Sequence, residues 1–139
     1  PQTCSRGAAC RAWGNYKRVE CTRVGNMDYD NPDKEGWYAA SSAAVHECVV
    51  ELTLRHGLKP GRVAVFGFSQ GAAVALQSVL TYPGRLAGCI DLCGWLLPAA
   101  REAIEAGAAS GLPVLVLHGT ADDLVAVDCA EDAVERLQE

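Results

Sequence analysis

Residues 62–71, Arg62-Val63-Ala64-Val65-Phe66-Gly67-Phe68-Ser69-Gln70-Gly71, constrain this chain more than any others, because the pattern changes there from strand to helix within a few positions. Residues 62–66 are short, apolar and rich in β-branched side chains, which predicts a central strand covered on both faces. Residues 72–82 read as a helix. Ser69 stands between Gly67 and Gly71 at the junction, as in a nucleophile elbow, whose turn is too sharp for bulky flanking residues and lifts the hydroxyl above the sheet edge. A plain helix cap is the simpler reading, yet a cap needs no second glycine two residues on. The elbow makes Ser69 a nucleophile and the N–H of Gln70, first in the helix, an oxyanion donor, since a helix start offers N–H groups and partial positive charge.

Strand and helix alternate along the rest of the readable chain. A helix is expected from about residue 35, with Val45, Val49, Leu52 and His56 on one face and Gly57 as its stop. Lys59-Pro60-Gly61 turns the chain into the strand at 62. After the elbow helix come a strand over 86–92 and a helix from Pro98 through 99–106 to Gly107. A second wholly apolar strand over 113–117 follows, then a helix opened by a capping box of Asp128 and Glu131. Residues 1–34 mix cysteines, arginines and glycines ahead of a turn-rich stretch at 28–33, and read as a long surface excursion. The fold class is α/β, one domain over 1–139, with a mostly parallel sheet and helices on both faces.

In such sheets chemistry gathers beyond the carboxyl ends of the strands. Ser69 follows one strand end, and His118-Gly119-Thr120-Ala121-Asp122-Asp123 follows another, so the loop brings a carboxylate to the nucleophile's edge. Either Asp122 or Asp123 could orient a catalytic histidine, and the order serine then acid matches elbow hydrolases, in which the histidine comes last.

Composition narrows the partner. With 139 residues and 50% hydrophobic content the chain can bury a core, and a net charge of -5 with no long basic run argues against nucleic acid. A small neutral or apolar substrate fits better. No stretch approaches roughly 18 uninterrupted apolar residues, and no basic-then-apolar leader opens the sequence, so a soluble cytoplasmic protein is expected. The seven cysteines, Cys4, Cys10, Cys21, Cys48, Cys89, Cys93 and Cys129, form no C-x-x-C pair. They read as free thiols, with Cys89 and Cys93 packed as small apolar groups. His46 and Cys48 alone make no zinc site, so neither metal nor cofactor is expected.

Taken together, these motifs resemble the acyl-protein thioesterase and carboxylesterase family of α/β-hydrolases, whose members also hydrolyse lysophospholipids. The elbow G-F-S-Q-G-A is similar to the family's G-F-S-Q-G-G, and Leu117-His-Gly-Thr-Ala-Asp-Asp-Leu-Val125 resembles its H-G-x-x-D-x-x-V stretch. The resemblance implies an α/β-hydrolase fold and places the catalytic acid at Asp122 rather than Asp123. Leu92-Cys-Gly-Trp-Leu96 is similar to a family S-G-W-L segment, implying that Trp95 and Leu96 border the acyl pocket, although Trp95 also reads as a core aromatic. Trp13 is followed by Gly14 and Asn15 where the family has an aromatic and an acid. Two family elements are not found: an early H-G-x-G-D turn carrying the second oxyanion donor, and a histidine after the acid. His46, His56 and His118 each read as structural.

The chain therefore reads as part of a longer domain, incomplete at both ends. The expected function is hydrolysis of carboxylic esters or thioesters through an acyl-enzyme, on an acylated protein or small ester reached transiently at a membrane surface. The alternative is a non-catalytic hydrolase-like protein that binds an acyl group or a partner.

Overall fold

The computed structural model describes residues 36–139, together with the backbone of two short strands, β1 (Gln2–Thr3) and β2 (Ala9–Cys10), paired antiparallel with Gln2 opposite Cys10. The surface excursion expected over residues 1–34 otherwise lies outside the described residues, as do Trp13, Cys4 and Cys21.

The helix expected first is α1 (Trp37–His56), closed by Gly57. Its buried stripe is Tyr38, Ser42 and Val49 with Val45 partly covered, the same face as the stripe read from the sequence but starting about two turns earlier. Leu52 and His56 are exposed, because the last turns of α1 run past the end of the helix they would pack on. A 3-10 turn at Pro60–Arg62 then takes up the first residue of the expected strand, so β3 is Ala64–Phe68. Proline at the start of that turn has no N–H to offer a sheet ladder and has its φ already set for a helical turn.

Helix α2 (Gln70–Thr81) is the centre of the molecule, with every residue from Ala72 to Leu80 buried. A helix apolar on all sides has to be enclosed, and α1, α3 (Pro98–Glu105) and the sheet enclose this one. Its polar side chains are satisfied internally. Gln77 donates to Ser42 Oγ at 2.9 Å, Ser78 Oγ donates to the Val74 carbonyl at 2.6 Å, and His46 Nε2 donates to the Ser78 carbonyl at 2.8 Å. His46 thus has the structural role read from the sequence, fastening α1 to α2.

Strands β4 (Gly88–Leu92) and β5 (Val114–Leu117) complete a parallel sheet in the order β3-β4-β5. Phe68 pairs with Leu92 and Leu92 with Leu117, so the three strands end level. Val65 and Val114 face the core with buried Cys89, covered by the helices. Alternation puts Phe66, Phe68, Ile90, Leu115 and Leu117 on the opposite face, where Phe66 and Phe68 are each 62% exposed. Among the described residues no helix covers that second face, for which the apolar strand composition is suited.

Helix α4 (Asp128–Gln138) ends the chain against β5 and α3. Asp128 is its first residue rather than its cap. The N-cap is Val127 with no side-chain bond, so Asp128 and Glu131 favour the helix start through charge and not as a capping box.

Candidate active site

The turn from β3 into α2 is strained where the sequence predicts an elbow. Ser69 has φ 52° and ψ −123°, and Ser69 and Cys93 are the non-glycine residues with positive φ among those described. Ser69 makes no side-chain cap bond, which removes the capping explanation. Its N–H donates to the Leu92 carbonyl at 2.8 Å, continuing the β3–β4 ladder one residue past the strand and pinning the elbow to its neighbour. Its own carbonyl accepts from Ala72 and Ala73, starting the helix, in which Gln70 is the first residue.

Gly67 makes that geometry accessible. A Cβ there would overlap the Gly71 carbonyl and the Ala72 nitrogen, all of them backbone atoms that cannot swing aside. Gly67→Ala is therefore expected to destabilise the fold by about 3 kcal/mol, measured by urea unfolding, because overpacking against backbone cannot relax through a rotamer change. A loss within experimental error would mean that the elbow is less tightly closed than described.

The second strained residue, Cys93, is placed by the same rule one strand over, its N–H donating to the Leu117 carbonyl at 2.8 Å. Ser69 is thus tied to the end of β4, and the residue after β4 to the end of β5. Asp122 follows β5 on the same edge, and with β4 between them β3 and β5 lie about 10 Å apart. That spacing leaves room for an imidazole bridging the hydroxyl and the carboxylate.

Asp122 is held by its own loop. Oδ1 accepts from the N–H groups of Leu124 at 2.9 Å and Val125 at 3.0 Å. Those two bonds, Val125 first, hold the carboxyl below the usual aspartate range, with smaller contributions from His118 and the Cys93 thiol. Asp123 is exposed on the outer side of the loop. The His118 side chain is almost fully buried, its Nε2 2.8 Å from the Val125 carbonyl and 3.8 Å from Asp122 Oδ2.

Cys93, His118 and Asp122 bring ligand atoms within 4.8 Å of one another. A carbonyl oxygen can only accept, so His118 Nε2 carries the proton and is committed to Val125, which leaves Nδ1 alone to serve a metal.

Beneath this edge lies Asp91, 1% exposed and next to last in β4, with Oδ1 accepting from the Gly94 N–H at 2.8 Å. Burial pushes its carboxyl above the usual range, while the Gly94 bond and nearby His118 pull the other way. Burial, aided by Asp91, likewise pushes the Cys89 thiol up to about 12. A Cβ on Gly94 would come within 2.5 Å of Asp91 Oδ1 and 2.7 Å of Ala72 Cβ, so this glycine lets the β4–α3 loop lie against both the carboxyl and the elbow helix. A carboxyl raised on folding contributes stability fully present below its unfolded pKa and lost as pH rises through its folded one. Asp91→Asn keeps the acceptor for Gly94 and has no charge to bury. The variant is expected to resist urea better than the parent at neutral pH, with the difference vanishing in acid; equal midpoints at both pH values would contradict the burial penalty.

The remaining sequence readings divide. Cys89 is buried as a small apolar group, but Cys93 is half-buried beside Asp122, because the strained turn after β4 directs it to the site edge. Trp95 and Leu96 are 2% and 1% exposed, in separate core clusters, which for Trp95 is the core-aromatic reading and not an open pocket wall. His56 is exposed at the end of α1, away from the elbow. From sequence, Cys93 has a packing role and His118 a structural one and Asp91 is not singled out, yet all three lie beside the acid loop. The signals were a charged residue inside an apolar strand and a histidine directly after one.

A family model described as phospholipase/carboxylesterase matches residues 6–139. The chain belongs to this family. Carboxylesterase SOBER1 of Arabidopsis thaliana is 32% identical, covering all of this chain and 58% of that protein, and acyl-protein thioesterase 1 of Schizosaccharomyces pombe is 30% identical over 90% of this chain and 52% of its own length. A protein of Oryza sativa subsp. japonica named as a probable inactive carboxylesterase is 30% identical, over 99% and 54%. The crystal structure of SOBER1 superposes with a TM-score of 0.69 at 29% identity over 98% of this chain and 62% of that one; esterase PE8 gives 0.66 at 30% over 81% and 55%. The phospholipase/carboxylesterase chain described here therefore has an α/β-hydrolase fold and spans about half the length of the curated relatives it matches.

Proposed function

We propose that the protein containing this chain hydrolyses carboxylic esters or thioesters through an acyl-enzyme formed on Ser69. The observation that carries the reading is the backbone of Ser69, φ 52° with no cap bond, directly after a parallel strand and level with the Asp122 loop. Nothing in the fold needs a serine held in that conformation, so its strain is best explained by use. Ser69 attacks the carbonyl carbon, a histidine takes its proton, and the Gln70 N–H at the helix start stabilises the oxyanion. Asp122 orients that histidine: two backbone donors fix Oδ1 and keep the carboxyl ionised, and Oδ2 is the oxygen directed to the imidazole. Trp95 and Leu96 support the floor beneath the acyl group.

The relatives' names favour an acylated protein or small ester as substrate. Among the described residues no helix is long and apolar enough to cross a membrane. We place its substrate access at transient contact with a membrane surface, and among the described residues the free thiols of Cys48, Cys89, Cys93 and Cys129 fit a reducing cytoplasmic compartment.

A non-catalytic, acyl-binding protein is the second reading, favoured by the rice relative named as inactive. Steady-state hydrolysis of p-nitrophenyl esters and an acyl-thioester by the complete gene product separates the two. Saturable turnover of either class is expected. Binding of an acyl ligand with no turnover of either would leave the second reading in place of the first.

A further inference from the structure

His118 closes the acid loop on itself. Its side chain is 3% exposed, and Nε2–H donates to the carbonyl of Val125, seven residues on. Val125 is itself 2% exposed, set among Tyr38, Ala73, Val74, Trp95 and Leu97. Its N–H is one of the two donors to Asp122 Oδ1. Val125 is therefore held through its carbonyl by His118 while its N–H holds the acid. Nε2 stands 3.8 Å from Asp122 Oδ2, too far for a hydrogen bond, so beyond a minor electrostatic contribution the hydrogen-bonded route from His118 to the acid runs through Val125.

This tautomer has a cost. In the neutral ring with its proton on Nε2, Nδ1 is a bare acceptor, buried and without a hydrogen-bond partner among the described residues. Leaving such an atom unsatisfied costs on the order of 1–3 kcal/mol, which an apolar side chain of similar volume would avoid. The imidazole is thus poorly suited to filling space and well suited to presenting one N–H at one place.

We propose that His118 is a positioning residue for the acid: its Nε2–H clamps Val125 so that the Val125 and Leu124 N–H groups stay aimed at Asp122. The proposal rests on the reading of Asp122 as the catalytic acid. It also assigns a duty to the histidine that opens the H-G-x-x-D stretch. Among the described residues Asp91 and Cys93 are the other ionisable groups near the ring, and Nε2–H is given to Val125.

Three variants of the complete gene product test this. Glutamine places an N–H where Nε2 stands, asparagine reaches only as far as Nδ1, and alanine supplies neither. His118→Asn and His118→Ala are expected to lose about 10-fold or more in kcat with KM little changed, as the acid drifts from its bridging position, while His118→Gln keeps most of the parent rate. The second readout needs no turnover. The Leu124 and Val125 amide signals, followed by NMR as pH falls, report ionisation of Asp122. Their midpoint should move up toward the ordinary carboxylate value in the asparagine and alanine variants and stay low in the glutamine variant. Should alanine prevent folding, the glutamine–asparagine pair decides the matter. Like behaviour of those two in both readouts overturns the proposal and leaves His118 a packing residue. A gene product that hydrolyses nothing refutes the proposed function, while the amide midpoints still decide what His118 does.

Discussion

Ser69→Ala in the complete gene product is expected to lower kcat on the order of 10⁶-fold, the scale of loss when a serine hydrolase is deprived of its nucleophile, while the fold melts almost unchanged. The two halves of that expectation come from the same geometry. The hydroxyl makes no cap bond, so its removal takes away no helix-stabilising interaction. The strain resides in the backbone at φ 52°, which alanine shares. Ester turnover and thermal unfolding measured on the same preparation check both halves. A variant that keeps a tenth of the parent rate would place the nucleophile elsewhere, and one that fails to fold would give Ser69 a structural duty that its contacts do not show.

Asp122→Asn is expected to cost about 10⁴-fold in kcat, by analogy with serine proteases whose acid is made an amide. Asparagine can keep Oδ1 where it is, still accepting from Leu124 and Val125, so the loop should hold its shape. What changes is the second position, where an amide nitrogen donates instead of accepting and cannot fix an imidazole N–H. The acid's lowered pKa adds a thermodynamic signature. A carboxyl depressed on folding contributes stability present above its unfolded pKa and lost as pH falls through its folded value. The parent should therefore lose stability below about pH 4 in a way that the asparagine variant does not. Asp123→Asn, at the exposed position beside Asp122, serves as the control and should retain the parent rate. If the two variants behave alike, the acid has been misassigned.

How far the site can be read from residues alone depends on whether backbone or packing decides the position. Ser69 and the loop at 118–123 were legible because a tight turn demands glycines and because parallel strands deliver their following residues to one edge. The strand ends were less so. Arg62 reads as strand by its apolar neighbours, yet Pro60 commits it to a 3-10 turn. The buried stretch of α1 starts about two turns earlier than its periodicity suggests, because periodicity gives the face but not where along it the neighbouring helix ends, and that boundary is set by α2. Cys93 looked like a core thiol since nothing in C-G-W announces a positive φ; the turn is imposed by the bond to Leu117 and by Gly94 lying against Asp91. His118 reads from the sequence as structural, and the bond to Val125 on which its proposed positioning role rests exists only in the closed loop.

The most direct measurement is covalent. The complete gene product, reacted with a fluorophosphonate probe and examined by mass spectrometry, should carry one adduct on the peptide containing Ser69, abolished by Ser69→Ala and formed far more slowly in Asp122→Asn. An unlabelled protein, or a label that survives the loss of Ser69, would contradict the assignment of this elbow as the catalytic nucleophile.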